Sequence, residues 1–98
     1  MVVEYIRYEV EAARGAAFVE AYDAAAAPLM ASPYCTSFDL SRCVDDPTQF
    51  VLRLEWTSRE DHMQGFRRSE ELRRFFALVK PFYENIREMR HYERLLER

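Results

Sequence analysis

Apolar and polar residues alternate over residues 2–10, with Ile6, Tyr8 and Val10 on one face and Val3, Tyr5, Arg7 and Glu9 on the other. That is the period of a half-buried strand. From Ala13 to about Met30 the period lengthens, and Phe18, Tyr22, Ala25 and Leu29 recur at spacings of four, three and four. This stripe predicts an amphipathic helix packed on a sheet. Gly15 weakens its start. Pro28 is expected to kink or end it, because proline lacks the amide donor and clashes one turn back. Ser32-Pro33 reads as a turn. A second strand over 35–43 turns Phe38 and Leu40 inward, and a third over 50–56 alternates Phe50, Leu52, Leu54 and Trp56 with Val51, Arg53 and Glu55. The turn sequence Asp45-Asp46-Pro47-Thr48 between them predicts a hairpin.

At Thr57-Ser58 the alternation stops. Ser58 suits an N-cap, Asp61 three residues later resembles a capping box, and Glu60 and Asp61 favour a helix N-terminus. His62, Met63 and Phe66 then share a helical face. After a junction at Arg67–Ser69, Ser69 caps a further helix whose apolar face is Leu72, Phe75, Phe76, Val79, Phe82 and Tyr83, with Pro81 ending or bending it near Lys80. The tail after Asn85 has helix-favouring composition. The order strand-helix-strand-strand-helix nevertheless lacks one strand of a split βαβ unit, so a strand is predicted at about 86–93. The expected fold is therefore an α+β, ferredoxin-like domain with a four-stranded antiparallel sheet and its helices on one face.

Ninety-eight residues suit a single domain over 1–98, and an aromatic content of 14% supplies a core for it. No apolar run approaches the length of a membrane span, and the N-terminus lacks the layout of a signal peptide, so no membrane partner and a cytoplasmic location are expected. The net charge of −3 is well mixed. Arg67, Arg68, Arg73 and Arg74 are interleaved with Glu70 and Glu71, as in a Glu70–Arg74 pair, which reads as a solvated helix face rather than a nucleic-acid surface. Cys35 and Cys43 in one strand would lie about 26 Å apart, beyond disulfide reach. With two histidines distant in sequence, no metal-ligand spacing is present.

The strand ending in Trp56, the W-x-S-x-E-D-H run of residues 56–62 and the following Phe66 resemble the antibiotic biosynthesis monooxygenase family. The alanine-rich helix and the Pro-Tyr-Cys turn before the second strand agree with it. The resemblance implies a ferredoxin-like domain that pairs sheet to sheet as a dimeric α+β barrel, with a pocket between helices and sheet in each subunit. The activities it implies include cofactor-independent quinone-forming oxygenation, haem degradation and small-molecule isomerisation. The haem-degrading branch is marked by a second tryptophan where Gly65 and Phe66 stand, and by a ligand histidine on the helix that here presents Phe75 and Phe76. Neither is matched.

In cofactor-free oxygenation a deprotonated phenol or hydroquinone is itself the reductant, so the protein needs a dry pocket, a base and anion stabilisation. His62 is the candidate base, with an unperturbed pKa of about 6.5. Tyr8, Trp56, Phe66 and Phe76 are the candidate ligand-binding residues, and no cofactor or metal is expected. Each has a plainer alternative. His62 suits a structural helix residue, Trp56 core packing, and Tyr8 a core tyrosine bonded to backbone. His91 is assigned no catalytic role. The competing function is a non-catalytic small-molecule-binding or regulatory domain, which a cavity filled by Trp56, Phe66, Phe75 and Phe76 would favour. A homodimer is expected through the face bearing Val3, Tyr5, Arg7, Val51, Arg53 and Glu55, whose charges would pair across a two-fold axis.

Overall fold

The alternating segments form four strands: β1 (Val2–Glu9), β2 (Cys35–Arg42), β3 (Gln49–Trp56) and β4 (Ile86–Glu93). The computed structural model describes residues 1–98. All pairings are antiparallel, and the sheet order is β2-β3-β1-β4. This is the ferredoxin-like α+β arrangement expected of the element order. The predicted hairpin joins β2 to β3, with Phe38 opposite Leu54 and Leu40 opposite Leu52. The tail is a strand, β4, despite its helix-favouring composition. Pairing with β1 over seven residue positions overrides local preference there.

Helix α1 (Gly15–Ala31) lays Phe18, Tyr22, Ala25 and Leu29 on the sheet, none more than 1% exposed. Pro28 does not end it. The helix runs three residues further and ends where the Ser32 amide bonds Leu29 O at 3.2 Å. The lost backbone bond is outweighed by burial of Ala25, Pro28 and Leu29 around it. Helix α2 (Glu70–Val79) starts where the Ser69 hydroxyl accepts the Leu72 amide at 3.2 Å, and continues past Pro81 as a 3-10 turn over Lys80–Asn85. On its exposed side Glu70 pairs with Arg73 at 3.4 Å rather than with Arg74. Both helices lie on one face of the sheet. The core is an aromatic chain in which Phe18 meets Tyr8, Tyr22, Phe50 and Phe82 at centroid distances of 4.8–5.3 Å.

The other sheet face is uncovered. Tyr5, Val51 and Tyr92 are 40%, 37% and 44% exposed on it, but Val3 is buried. Val3 lies in register between Glu55 and Tyr92, where Arg94 crosses β1 to pair with Glu55. Arg53 pairs with Asp39 and Glu55 at 2.7 Å. Of the charges expected to meet across a two-fold axis, Arg53 and Glu55 are thus already paired within the chain, and Arg7 donates to Gln49 at 3.0 Å. Both cysteines are free, and no helix is long and apolar enough to cross a membrane.

Candidate functional site

The alternation that buries Ile6 and Tyr8 also buries Glu4, the third residue of the same β1 face. Its carboxylate is 1% exposed. In register, Glu4 sits between Leu54 of β3 and His91 of β4. Trp56, at the end of β3, donates its indole Nε1–H to Glu4 Oε1 at 3.0 Å.

The turn after β3 lowers His62 onto this pair. Ser58 Oγ accepts the Asp61 amide at 2.9 Å, so the expected cap forms. Asp61 itself bonds the Thr57 hydroxyl rather than reaching back to the Ser58 amide. Residues Asp61–Gly65 then make a π-helical turn, closed by the Phe66 amide on Asp61 O and His62 O. Such wider turns recur at functional sites. Here it presses His62 flat on Trp56, with centroids 4.1 Å apart and planes 10° from parallel. The turn also packs Gly65 against Tyr34, where a Cβ would lie 2.6 Å from the ring.

His62 Nδ1 lies 2.7 Å from His91 Nε2, and His62 Nε2 lies 3.7 Å from Glu4 Oε1. The two histidines, distant in sequence, therefore meet. His91, to which the sequence assigned no catalytic role, stands in the cluster because the antiparallel pairing of β4 with β1 brings it opposite Glu4. Burial pushes the Glu4 pKa up to about 6, against the lowering effect of the Trp56 hydrogen bond and Arg67. Burial, then His91, Arg67 and Arg59, lower that of His62 to about 3. His62 is accordingly a neutral imidazole near neutral pH, and its contact with Glu4 is not an ion pair. The same burial and arginines lower His91. Glu4, His62 and His91 place one donor atom each within 4.8 Å of one another, the mixed nitrogen and oxygen set that divalent transition ions accept. Two features favour the hydrogen-bonded arrangement instead. The 2.7 Å contact is of hydrogen-bond length, and Arg59 and Arg67 set positive charge beside both rings.

Glu4, Trp56 and His62 of this cluster line a cavity of about 290 Å³ between the helices and the sheet, and His91 lies outside its wall. All five residues singled out in the sequence line it: His62, Tyr8, Trp56, Phe66 and Phe76. Phe76 stands at the rim, 41% exposed. The Tyr8 hydroxyl meets the Tyr22 hydroxyl rather than backbone, and burial pushes the Tyr8 pKa up to about 12. A cavity of about 150 Å³ already admits benzene, so this one has room for a ring despite its aromatic walls. Sequence reasoning missed Glu4 and His91. The signal for Glu4 was present, an acid in phase with Ile6 and Tyr8. A second groove, of about 350 Å³ and lined by Tyr22, Asp23, Phe38, Arg42 and Phe50 among others, has no comparable acid–base cluster.

A family model described as antibiotic biosynthesis monooxygenase matches residues 1–78. YczJ of Bacillus subtilis (strain 168), an uncharacterized protein, is 30% identical over 76 residues, which are 78% of this chain and 80% of YczJ. Among solved structures, the fold is similar to that of a Bordetella bronchiseptica protein carrying the same family designation, with TM-score 0.85 and 23% identity over 97% of each chain. It is also similar to SnoaB, a cofactor-independent oxygenase from Streptomyces nogalater, with TM-score 0.79 and 18% identity over 98% of this chain and 94% of SnoaB. At these identities the structural likeness is one of fold.

Proposed function

The chain belongs to the antibiotic biosynthesis monooxygenase family, and from that premise we propose that it is a small cofactor-independent oxygenase acting on a phenol- or hydroquinone-type metabolite. The observation that carries this reading is the aromatic-lined cavity of about 290 Å³ with a buried carboxylate and imidazole at one end. That volume, at the low end for ligand pockets, suits one or two fused rings. Trp56 and Phe66 offer faces for the ring, Phe76 guards the rim, and Tyr8 with Tyr22 supplies hydroxyls at the wall. The Glu4–His62 end accepts the proton. With the hydroxyl proton removed, the electron-rich ring reduces O₂ directly, so the protein's task is binding, proton removal and exclusion of water. SnoaB, of the same fold, is described as a cofactor-independent oxygenase, which supports the reading.

Helix α2 offers no ligand to a haem in this cavity. The side chains that α2 turns to the cavity are Leu72, Phe75, Phe76 and Val79, none of which can ligate iron. The working unit in this reading is a homodimer formed through the uncovered sheet face, with Tyr5, Val51 and Tyr92 supplying the apolar contact.

Oxygen uptake against a panel of phenols and hydroquinones tests the proposal, comparing the wild type with His62→Ala. Turnover by the wild type and its loss in the variant are expected. No turnover on a broad panel would favour a non-catalytic binding domain, and unchanged turnover in the variant would remove His62 from the mechanism.

A further inference from the structure

Glu4 Oε2 is a buried side-chain oxygen without a hydrogen-bond partner. Leaving such an atom bare is costly, more so for a charged group. The carboxylate is not loose, however. Its other oxygen is held by the Trp56 indole, and Glu4 contributes to the cavity wall. Outward from it, burial relaxes step by step, from Glu4 at 1% exposed, through His62 at 5%, to the half-buried His91 on the edge strand β4. The links between them are the 3.7 Å Glu4–His62 contact and the 2.7 Å His62–His91 hydrogen bond.

We propose that Glu4, rather than His62, takes the proton from the bound hydroxyl, and that His62 and His91 form the proton path between Glu4 and solvent at the edge of β4. The inference rests on the oxygenase reading above for the identity of the proton donor. In the first step the O–H bond of the phenol breaks and an O–H bond forms on Glu4 Oε2, leaving a phenolate with no transfer of electrons. In the second, the carboxyl turns to bring its O–H to His62 Nε2, which lies 3.7 Å from Oε1, and gives its proton there while His62 Nδ1–H passes its own to His91 Nε2 and His91 Nδ1–H releases one to water.

Oxygenation to a quinone consumes one O₂ and releases one water per phenol, so the overall reaction neither takes up nor yields protons. The proton parked outside returns by the same path when the O–O bond of the peroxide adduct breaks: the C–H bond at the oxygenated carbon gives up its proton, its electron pair forms the new C=O, and the distal oxygen takes both protons and leaves as water. That return resets both histidine tautomers. Arg59 and Arg67 are the charges facing the two rings, and with burial they disfavour an imidazolium at either. Neutral rings that hand on a proton without storing it are what such a path needs. The 3.7 Å gap is longer than a hydrogen bond, and catalytic hydrogen bonds commonly tighten only when ligand is bound.

The test has two arms. With a phenol that turns over, Glu4→Gln is expected to lower kcat about 100-fold or more at little cost in KM. His91→Ala should lower kcat in a way that free imidazole in the buffer restores, as a packing role would not. Unchanged kcat in Glu4→Gln, or a His91→Ala loss that imidazole leaves untouched, would overturn the path. If no phenol turns over, the oxygenase reading fails and NMR of the protein decides this inference. The Glu4 carboxyl carbon should titrate near 6, and the fixed tautomers of His62 and His91 should scramble in Glu4→Gln. An ordinary titration of Glu4 near about 4.3 would overturn it. So would one-to-one Zn²⁺ binding by the wild type that is lost in each of Glu4→Gln, His62→Ala and His91→Ala, since the cluster would then be a metal site.

Discussion

Replacing Glu4 by glutamine should make the protein more stable, and only above a definite pH. Glutamine keeps the shape and still offers Trp56 a carbonyl oxygen, but it never carries charge. In the wild type, burial raises the Glu4 pKa from 4.5 to about 6. A carboxyl raised on folding binds a proton more tightly in the folded than in the unfolded chain. Stability is then highest below the unfolded pKa and falls as pH rises through the folded one. The shift of about 1.5 units, at 1.36 kcal/mol each, amounts to about 2 kcal/mol lost between about pH 4.5 and 6. His62 works in the opposite sense. Its pKa is depressed to about 3, so its contribution is present above 6.5 and fades as pH falls toward 3. Because both proteins contain His62, the difference between them largely isolates Glu4. Urea unfolding at fixed protein concentration, at about pH 4 and about pH 8, measures that difference. Glu4→Gln should be nearly neutral at the lower pH and more stable by about 2 kcal/mol at the higher, corresponding to about 8–16 °C in Tm for a domain of this size. A variant less stable than wild type at the higher pH would refute the reasoning, since the carboxylate would then be stabilised by its surroundings. Glu4 would thus be retained at a cost to the fold, as functional groups often are.

Three further outcomes are expected. Gly65→Ala should destabilise the fold by about 1–3 kcal/mol by driving a methyl into the Tyr34 ring, and adding Tyr34→Ala should recover part of the loss; equal destabilisation in both backgrounds on thermal denaturation would place the strain elsewhere. Phe18→Ala, which empties the centre of the aromatic chain, should cost about 3–5 kcal/mol in urea unfolding, and a loss below about 1 kcal/mol would mean that the core collapses to fill the space. By analytical ultracentrifugation, Val51→Asp should split the proposed dimer more than Arg53→Ala does, because Arg53 is already paired within its own chain; the reverse ranking would mean that charge holds the interface together.

The strands were legible because period-two alternation is imposed by burial of one sheet face, and Phe50 through Trp56 obey it without exception. The tail shows the limit of local reading. Its glutamates, arginines and leucines favour helix, and only the need of β1 for a second neighbour decides otherwise. That α1 continues past Pro28 has a related reason, since a helix anchored around a proline by buried residues tolerates a missing hydrogen bond. At the site, the apolar lining was readable from helical and strand spacing. The acid–base cluster was only half so. Glu4 was in plain phase with Ile6 and Tyr8, whereas the approach of His91 depends on the β1–β4 register, which no local pattern encodes. The π-helical turn that tilts His62 onto Trp56 is similarly silent in sequence, being one extra residue in an ordinary-looking helical run.

In the proposed reaction the cavity oxygenates its ligand with the protein's own side chains alone. That is tested most directly by mass spectrometry of the product formed under isotopically heavy O₂ by chelator-treated protein with a phenol from the panel. One heavy oxygen atom per quinone is predicted, at a rate unaffected by the chelator and abolished in Glu4→Gln. A product without heavy oxygen, or a rate that follows trace metal instead of protein, would contradict it.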